Sequence, residues 1–262
     1  MSNKTKLSIL FTCPHHGIMR LDRQSIRVKD HLPDSCKKDL GQKFSDDNDL
    51  FTRQLTASIV DNIQRKSGKK PYDQVAEFHR KYVDYNRCEE CAFELSSFLA
   101  NRAYLEYHNE ILQIIEEMVP ENGNSLAFLF DIHGTDRKSI QVEGQNFPFQ
   151  VLIGTDEQRS IQALTQIDSQ AWWHDGKGLI PRLQGKNITV FPPNKDLEIQ
   201  NHILDGGYTI QKYGSSQFKK RLAAIQIEVI YEIRTDRDKR QKLAEDLADC
   251  IYEFTLPFIP HT

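Results

Sequence analysis

No run of eighteen apolar residues occurs in this chain, which excludes a hydrophobic helix long enough to span a bilayer. The apolar stretch behind the polar, lysine-bearing start covers only residues 7–11. That is too short for the core of a secretion signal, so the expected location is cytoplasmic. Excess positive charge is missing as well: 34 Lys+Arg against 37 Asp+Glu give a formal net charge of -3, which leaves no basic footprint for nucleic acid. Internal repeats, low-complexity tracts and dividing linkers are also missing, so residues 1–262 are expected to form a single domain. Cysteine is sparse, with Cys13, Cys36, Cys88, Cys91 and Cys250, and an odd count does not look like a disulfide framework. Cys88 and Cys91 form a lone CxxC with no second pair of ligands nearby in sequence. A structural zinc site needs such a pair, so the two read as packed or idle, with a redox or structural zinc role as the rival.

What is present is an ordinary globular balance, 39% hydrophobic and 27% charged. Residues 7–12 read as a buried strand running into the turn chemistry of Cys13-Pro-His-His-Gly17. Residues 20–45 read as a long polar loop. Leu50, Phe51, Leu55, Ile59 and Ile63 have helical spacing, and Ser67-Gly-Lys-Lys-Pro71 stops that helix. A short strand is expected at 73–78 and a long helix at about 92–119. Residues 126–130 form the clearest central strand, apolar throughout and suited to burial on both faces. Further strands are expected at 149–154, 188–191, 208–212 and 222–230, with a charged amphipathic helix at about 236–254. Strands alternating with helices give an α/β class with a mixed, largely parallel central sheet flanked by helices.

Ligands of open α/β sheets gather at the carboxyl ends of the strands. Two apolar strands deliver histidine there: the first His15 and His16, the second His133, the pairs ending in glycine. Two imidazoles and a carboxylate with an open position make a catalytic zinc site. Asp131 shares a strand face with His133 and either ligates or orients a ligand. The cluster Asp46, Asp47 and Asp49 is the other source of a carboxylate, although it reads equally as a helix start. Glu228 lies in the apolar strand Ala224-Ile-Gln-Ile-Glu-Val-Ile230. Facing a site, it would have a raised pKa suited to a general base; the alternative is an ion-paired or edge-strand glutamate. Asp84-Tyr-Asn-Arg87, with Arg80 nearby, offers guanidinium forks that match a carboxylate.

Taken together and in order, Pro14-His-His-Gly17, Asp49-x-x-Thr52-x-x-Leu55, the stretch from His79 to Arg87, Tyr104-x-x-Tyr-His108, Asp131-x-His133 and Gln226-Ile-Glu228 resemble the N-formylglutamate amidohydrolases. Gly206-Gly207 and Tyr213-Gly214 look like the late segment of that family. The resemblance covers about residues 7–232. It implies a zinc carboxypeptidase-like, phosphorylase/hydrolase-like fold. It also implies one Zn2+, or another divalent metal, held by His15, Asp49 and His133. Glu228 would be the general base, Arg80 would support the oxyanion, and Arg87 with Asn86 would hold a substrate carboxylate. His16 stands where many members carry serine and would touch substrate or compete for the metal. The loop with Trp172 and Trp173 has no counterpart in the resemblance. The implied partner is a small N-acyl amino acid, N-formylglutamate for example, or a short peptide, with neither nucleic acid nor membrane. Rival readings are a carboxypeptidase-like or cell-wall peptide amidase on the same site, and a ligand-binding relative without turnover.

Overall fold

The computed structural model describes residues 6–33, 36, 45–119, 125–194, 206–215 and 221–260. A sheet of six strands runs in the order β2-β1-β3-β8-β6-β7, where β1 is Ile9–Cys13, β2 Tyr72–Val75, β3 Ala127–Thr135, β6 Val151–Gly154, β7 Val190–Phe191 and β8 Leu222–Ile230. β2, β1, β3 and β8 are parallel, and β6 runs against β8 with β7 parallel to it. A separate hairpin joins β4, Ser139–Val142, to β5, Gln145–Pro148. The sheet is therefore mixed and largely parallel. Of the expected loop 20–45, residues 34–35 and 37–44 lie outside the described residues, and the rest carries two 3-10 turns, Arg23–Ser25 and Lys29–His31.

Among the described residues the helices are α1 Thr52–Ser67, α2 Glu89–Ala92, α3 Phe98–Met118, α4 Gln162–Ile167, α5 Leu179–Gly185, α6 Gly207–Tyr213, α7 Tyr231–Thr235 and α8 Arg237–Thr255. Among the described residues, no helix is long and apolar enough to cross a membrane. α1 stops at Gly68, which takes the left-handed conformation (φ 74) and returns its N–H to the Gln64 carbonyl, a conformation that costs glycine little. α3 begins later than its apolar pattern suggests. Ser97 caps it by accepting from the Ala100 N–H, and the residues before it form the separate turn α2.

Alternation along the strands sorts the core into two layers. Ile9 and Phe11, Phe128 and Phe130, and Ile225 and Ile227 pack with Leu55, Ile59, Ile63, Leu247, Ile251 and Phe254 of α1 and α8. Leu10, Leu129, Leu222 and Ala224 pack on the other face with Tyr104, Tyr107, Ile111 and Ile115 of α3. Toward the carboxyl ends this second face changes character. In register beyond Leu10, Leu129 and Ala224 come Thr12, Asp131 and Gln226, then His133 and Glu228. A period of two puts all of these polar residues on the α3 side.

Two expectations need correction. Residues 208–212, expected as a strand, lie in α6. Gly206 and Gly207 both have positive φ, and the Thr209 N–H is held by the Asn86 side chain, so a turn and a tertiary bond override the β-leaning Tyr-Thr-Ile pattern. Cys91, expected to be packed or idle, is disulfide-bonded to Cys36 across 55 residues. Trp172 is buried in the α8-side layer, 5.6 Å from Phe254, on the face of the sheet away from the polar strand ends.

Phe128 is fully buried and touches the rings of Phe130, Phe254 and Phe258. Phe128→Ala is expected to cost about 3–5 kcal/mol of stability in chemical denaturation. A loss under ~1 kcal/mol would show that this layer does not hold the sheet together.

Candidate metal centre

The end of β1 delivers His15 through the turn Pro14-His-His-Gly17. Gly17 has no room for a Cβ, which would lie 1.9 Å from the Phe78 carbonyl oxygen. This close approach zips the turn to the 77–79 segment, with the Met19 N–H on the Glu77 carbonyl and the His79 N–H on the Met19 carbonyl, both 2.9 Å. Asn48 staples the two to the segment before α1. It donates to the Gly17 carbonyl at 2.7 Å and accepts from the Arg80 N–H at 3.0 Å. Three loops are thereby held over the polar end of the sheet.

There the imidazoles of His15 and His133 meet. Their Nδ1 atoms are 3.1 Å apart, and Asp49 Oδ2 lies 3.3 Å from each. All three side chains are buried, and they form a group that could hold a metal ion. The carboxylate is that of Asp49, while Asp46 and Asp47 are exposed. Asp49 does not cap α1, whose N-cap is Phe51 in a left-handed conformation. Its Oδ2 accepts instead from the Gly134 N–H at 2.9 Å, which fixes it between the two strand ends.

The outer nitrogens explain why the inner ones converge. His15 Nε2 is 2.7 Å from Asp84 Oδ1, and His133 Nε2 is 2.7 Å from Asp131 Oδ2. A buried carboxylate at each Nε2 favours the proton there, so Nδ1 is the nitrogen that offers a lone pair when the ring is neutral. Thr12 Oγ1 donates to Asp131 Oδ1 at 2.6 Å, and the Asn86 N–H donates to Asp84 Oδ1 at 3.1 Å, so the carboxylates are themselves held. Without a metal, a proton on His133 Nδ1 links that nitrogen to Asp49 Oδ2, and a cation bound by the three inner atoms would replace that proton. Zinc bonds of about 2.0–2.1 Å in a tetrahedron place ligand atoms ~3.3–3.4 Å apart, close to the spacing seen. Burial disfavours a charged His133, but Asp131 and Asp49 outweigh it and lift its pKa to about 10. Burial also opposes the Asp49 charge, and the two histidines more than offset it, holding that carboxyl well below the usual range.

The remaining candidates surround this point. Glu228 is in register with His133 on the next strand, half-buried, and burial raises its carboxyl despite His133. Arg80 donates through Nε to Asp84 Oδ2 at 3.0 Å, and Arg87 Nε is 3.6 Å from the same oxygen. Asn86 Oδ1 accepts from the Thr209 N–H and hydroxyl at 2.7 and 3.0 Å, and its Nδ2 lies 3.4 Å from His133 Nε2. His16 turns aside: its Nδ1 is 3.3 Å from the Asp49 carbonyl oxygen, and burial lowers its pKa.

Four contributors had no role in the sequence reading, Asn48 among them. Asp84 lay within a quoted motif, but only its burial between His15 and the arginines reveals its place. Arg27 reaches Asp84 Oδ2 at 3.6 Å from a loop over fifty residues upstream. Arg234, also buried, donates to the Val229 and Leu50 carbonyls and fills the space where a Cβ on Gly134 would go. A buried arginine followed by no motif carries no local signal.

An N-formylglutamate amidohydrolase from Ralstonia eutropha JMP134 is similar in structure, with a TM-score of 0.60 at 13% identity over 98% of this chain and 95% of that one. The two share a fold. A gene product of Agrobacterium tumefaciens is similar with a TM-score of 0.51 at 14% identity, over 96% of this chain and 92% of that one. No family model and no curated protein sequence matches the chain.

Asp84→Asn and Asp131→Asn each leave the three inner donor atoms in place and remove a carboxylate behind an imidazole. Each is expected to weaken zinc binding about 10–100-fold, read by competition with a chromophoric chelator. Wild-type affinity in both variants would remove these carboxylates from the metal centre.

Proposed function

We propose that the protein is a metal-dependent amidohydrolase that cleaves the amide of an N-acyl amino acid, an N-formyl amino acid such as N-formylglutamate in the first instance. The observation that carries this reading is the convergence of His15 Nδ1, His133 Nδ1 and Asp49 Oδ2, each imidazole backed by a buried carboxylate. The shared fold with an N-formylglutamate amidohydrolase supports the reaction class. Zinc held by these three residues would supply a Lewis acid for the amide carbonyl and lower the pKa of water toward ~7.

The chain's own residues divide the rest of the work. Glu228, level with His133 on β8, accepts the proton of the attacking water and returns it to the leaving nitrogen. Its raised carboxyl brings it nearer to a base matched to neutral pH. Arg80 and Arg87 share Asp84 with Arg27. A cluster of guanidiniums beside the metal ligands suits an anionic substrate. Arg87, with Asn86 beside it, holds the substrate carboxylate, and Arg80 stabilises the developing oxyanion. Binding by the carboxylate orients the scissile amide between Glu228 and the metal ligands.

Glu228→Gln is expected to retain its metal by elemental analysis and to lose at least ~10²-fold in kcat. Unchanged turnover would remove Glu228 from the reaction. Arg87→Ala is expected to raise KM for substrates bearing a free carboxylate by about 10–100-fold, the equivalent of a lost charge-assisted bond, and to leave uncharged amides almost unaffected. Assays across N-formyl amino acids, N-acetyl amino acids and dipeptides decide the substrate class; preferred cleavage of dipeptides would overturn the N-acyl reading.

A further inference from the structure

Away from the histidine pair, three sulfurs meet. Cys36 is joined to Cys91, and the Cys88 thiol lies 3.1 Å from Cys91 Sγ. One carboxylate oxygen of Glu90 belongs to the same group, with all four ligand atoms within 4.8 Å of one another. Cys36 and Cys91 are buried with Leu32, and Cys88 packs against them. The Cys91 N–H bonds the Cys88 carbonyl at 2.9 Å, which folds the CxxC into a turn with both sulfurs on one side. We propose that in the reduced chain this cluster is a second metal site, in which the thiolates of Cys36, Cys88 and Cys91 and the carboxylate of Glu90 bind zinc.

The chemistry favours a soft cation. Three sulfurs select zinc among the common divalent ions, and the two-residue gap between Cys88 and Cys91 is the usual spacing of a zinc turn. The conversion balances. A dithiol reductant gives two electrons and two protons to the Cys36–Cys91 bond and leaves as its own disulfide. Zinc then displaces one proton from each of the three thiols. The bound ion would tie Cys36 to the 84–93 segment, which carries Asp84, Asn86 and Arg87. Leu32 already packs with Cys36 and Cys91, and Arg27 reaches the Cys91 carbonyl.

The test uses the full chain, reduced under argon with a dithiol, freed of it by gel filtration and titrated with Co2+. Thiolate ligation gives a near-ultraviolet sulfur-to-cobalt charge-transfer band that imidazole and carboxylate ligands cannot produce. The wild type is expected to show this band and to lose it when Zn2+ is added. Cys88→Ser and Cys36→Ser are expected to lose the band and one metal per chain while keeping the wild-type circular dichroism spectrum. His15→Ala is expected to keep the band, so failure of the proposed hydrolase centre would leave this result intact. A reduced wild type without the band, a Cys36–Cys91 bond that survives the dithiol, or an undiminished band in Cys88→Ser would each overturn the proposal.

Discussion

Two buried imidazoles turn their Nδ1 atoms toward each other and toward a carboxylate, and most of the upper half of the molecule is arranged to keep them there. The arrangement needs positive charge at its centre: without a metal, a proton on His133 is held between Asp131 and Asp49, with His15 Nδ1 3.1 Å away. It persists because each participant is gripped from behind. Asp84 and Asp131 hold the outer nitrogens, Thr12 and the Asn86 backbone hold those carboxylates, and the Gly134 N–H holds Asp49. A metal cation among the three inner atoms would replace that proton, and donors already held in place would bind it without reorganising.

The sheet supplies the rigidity this needs. β1, β3 and β8 are buried on both faces, and their apolar lower halves lock the register. A slip of one residue would turn Thr12, Asp131 and Glu228 into the α8-side layer, where nothing could satisfy them. The polar upper halves are thus carried by the packing of the lower ones. The loops contribute through close backbone approach at Gly17 and the Asn48 staple, which leaves little slack between the strand ends and the segment bearing Asp84, Asn86 and Arg87.

Charge is distributed so that the anionic and cationic sides of the site stay distinct. Asp49 and Asp131 face the imidazoles, while Arg27, Arg80 and Arg87 gather on Asp84 at the back of His15. Asp84 serves both sides at once: one oxygen orients a histidine and the other anchors the guanidiniums. A displacement of Arg80, bonded to Asp84 at 3.0 Å, is therefore felt at His15. The thiol cluster lies at the far end of the same segment, a short backbone distance from Arg87.

Local pattern was enough for the sheet strands that are apolar throughout, for α1, α3 and α8, and for the strand-end histidines, because burial periodicity and turn residues act over a few positions. The ordered motifs also singled out Asp49 and Glu228 by resemblance. Tertiary structure alone decided the rest. It chose Asp49 over Asp46 and Asp47, placed Asp131 and Asp84 behind the imidazoles, and brought in Arg27, Asn48 and Arg234. It made 208–212 a helix by bonding Thr209 to Asn86, and it paired Cys36 with Cys91. Each of these depends on a contact between positions tens of residues apart, where a single side chain's neighbours are set by how whole elements pack, and no local propensity carries that information.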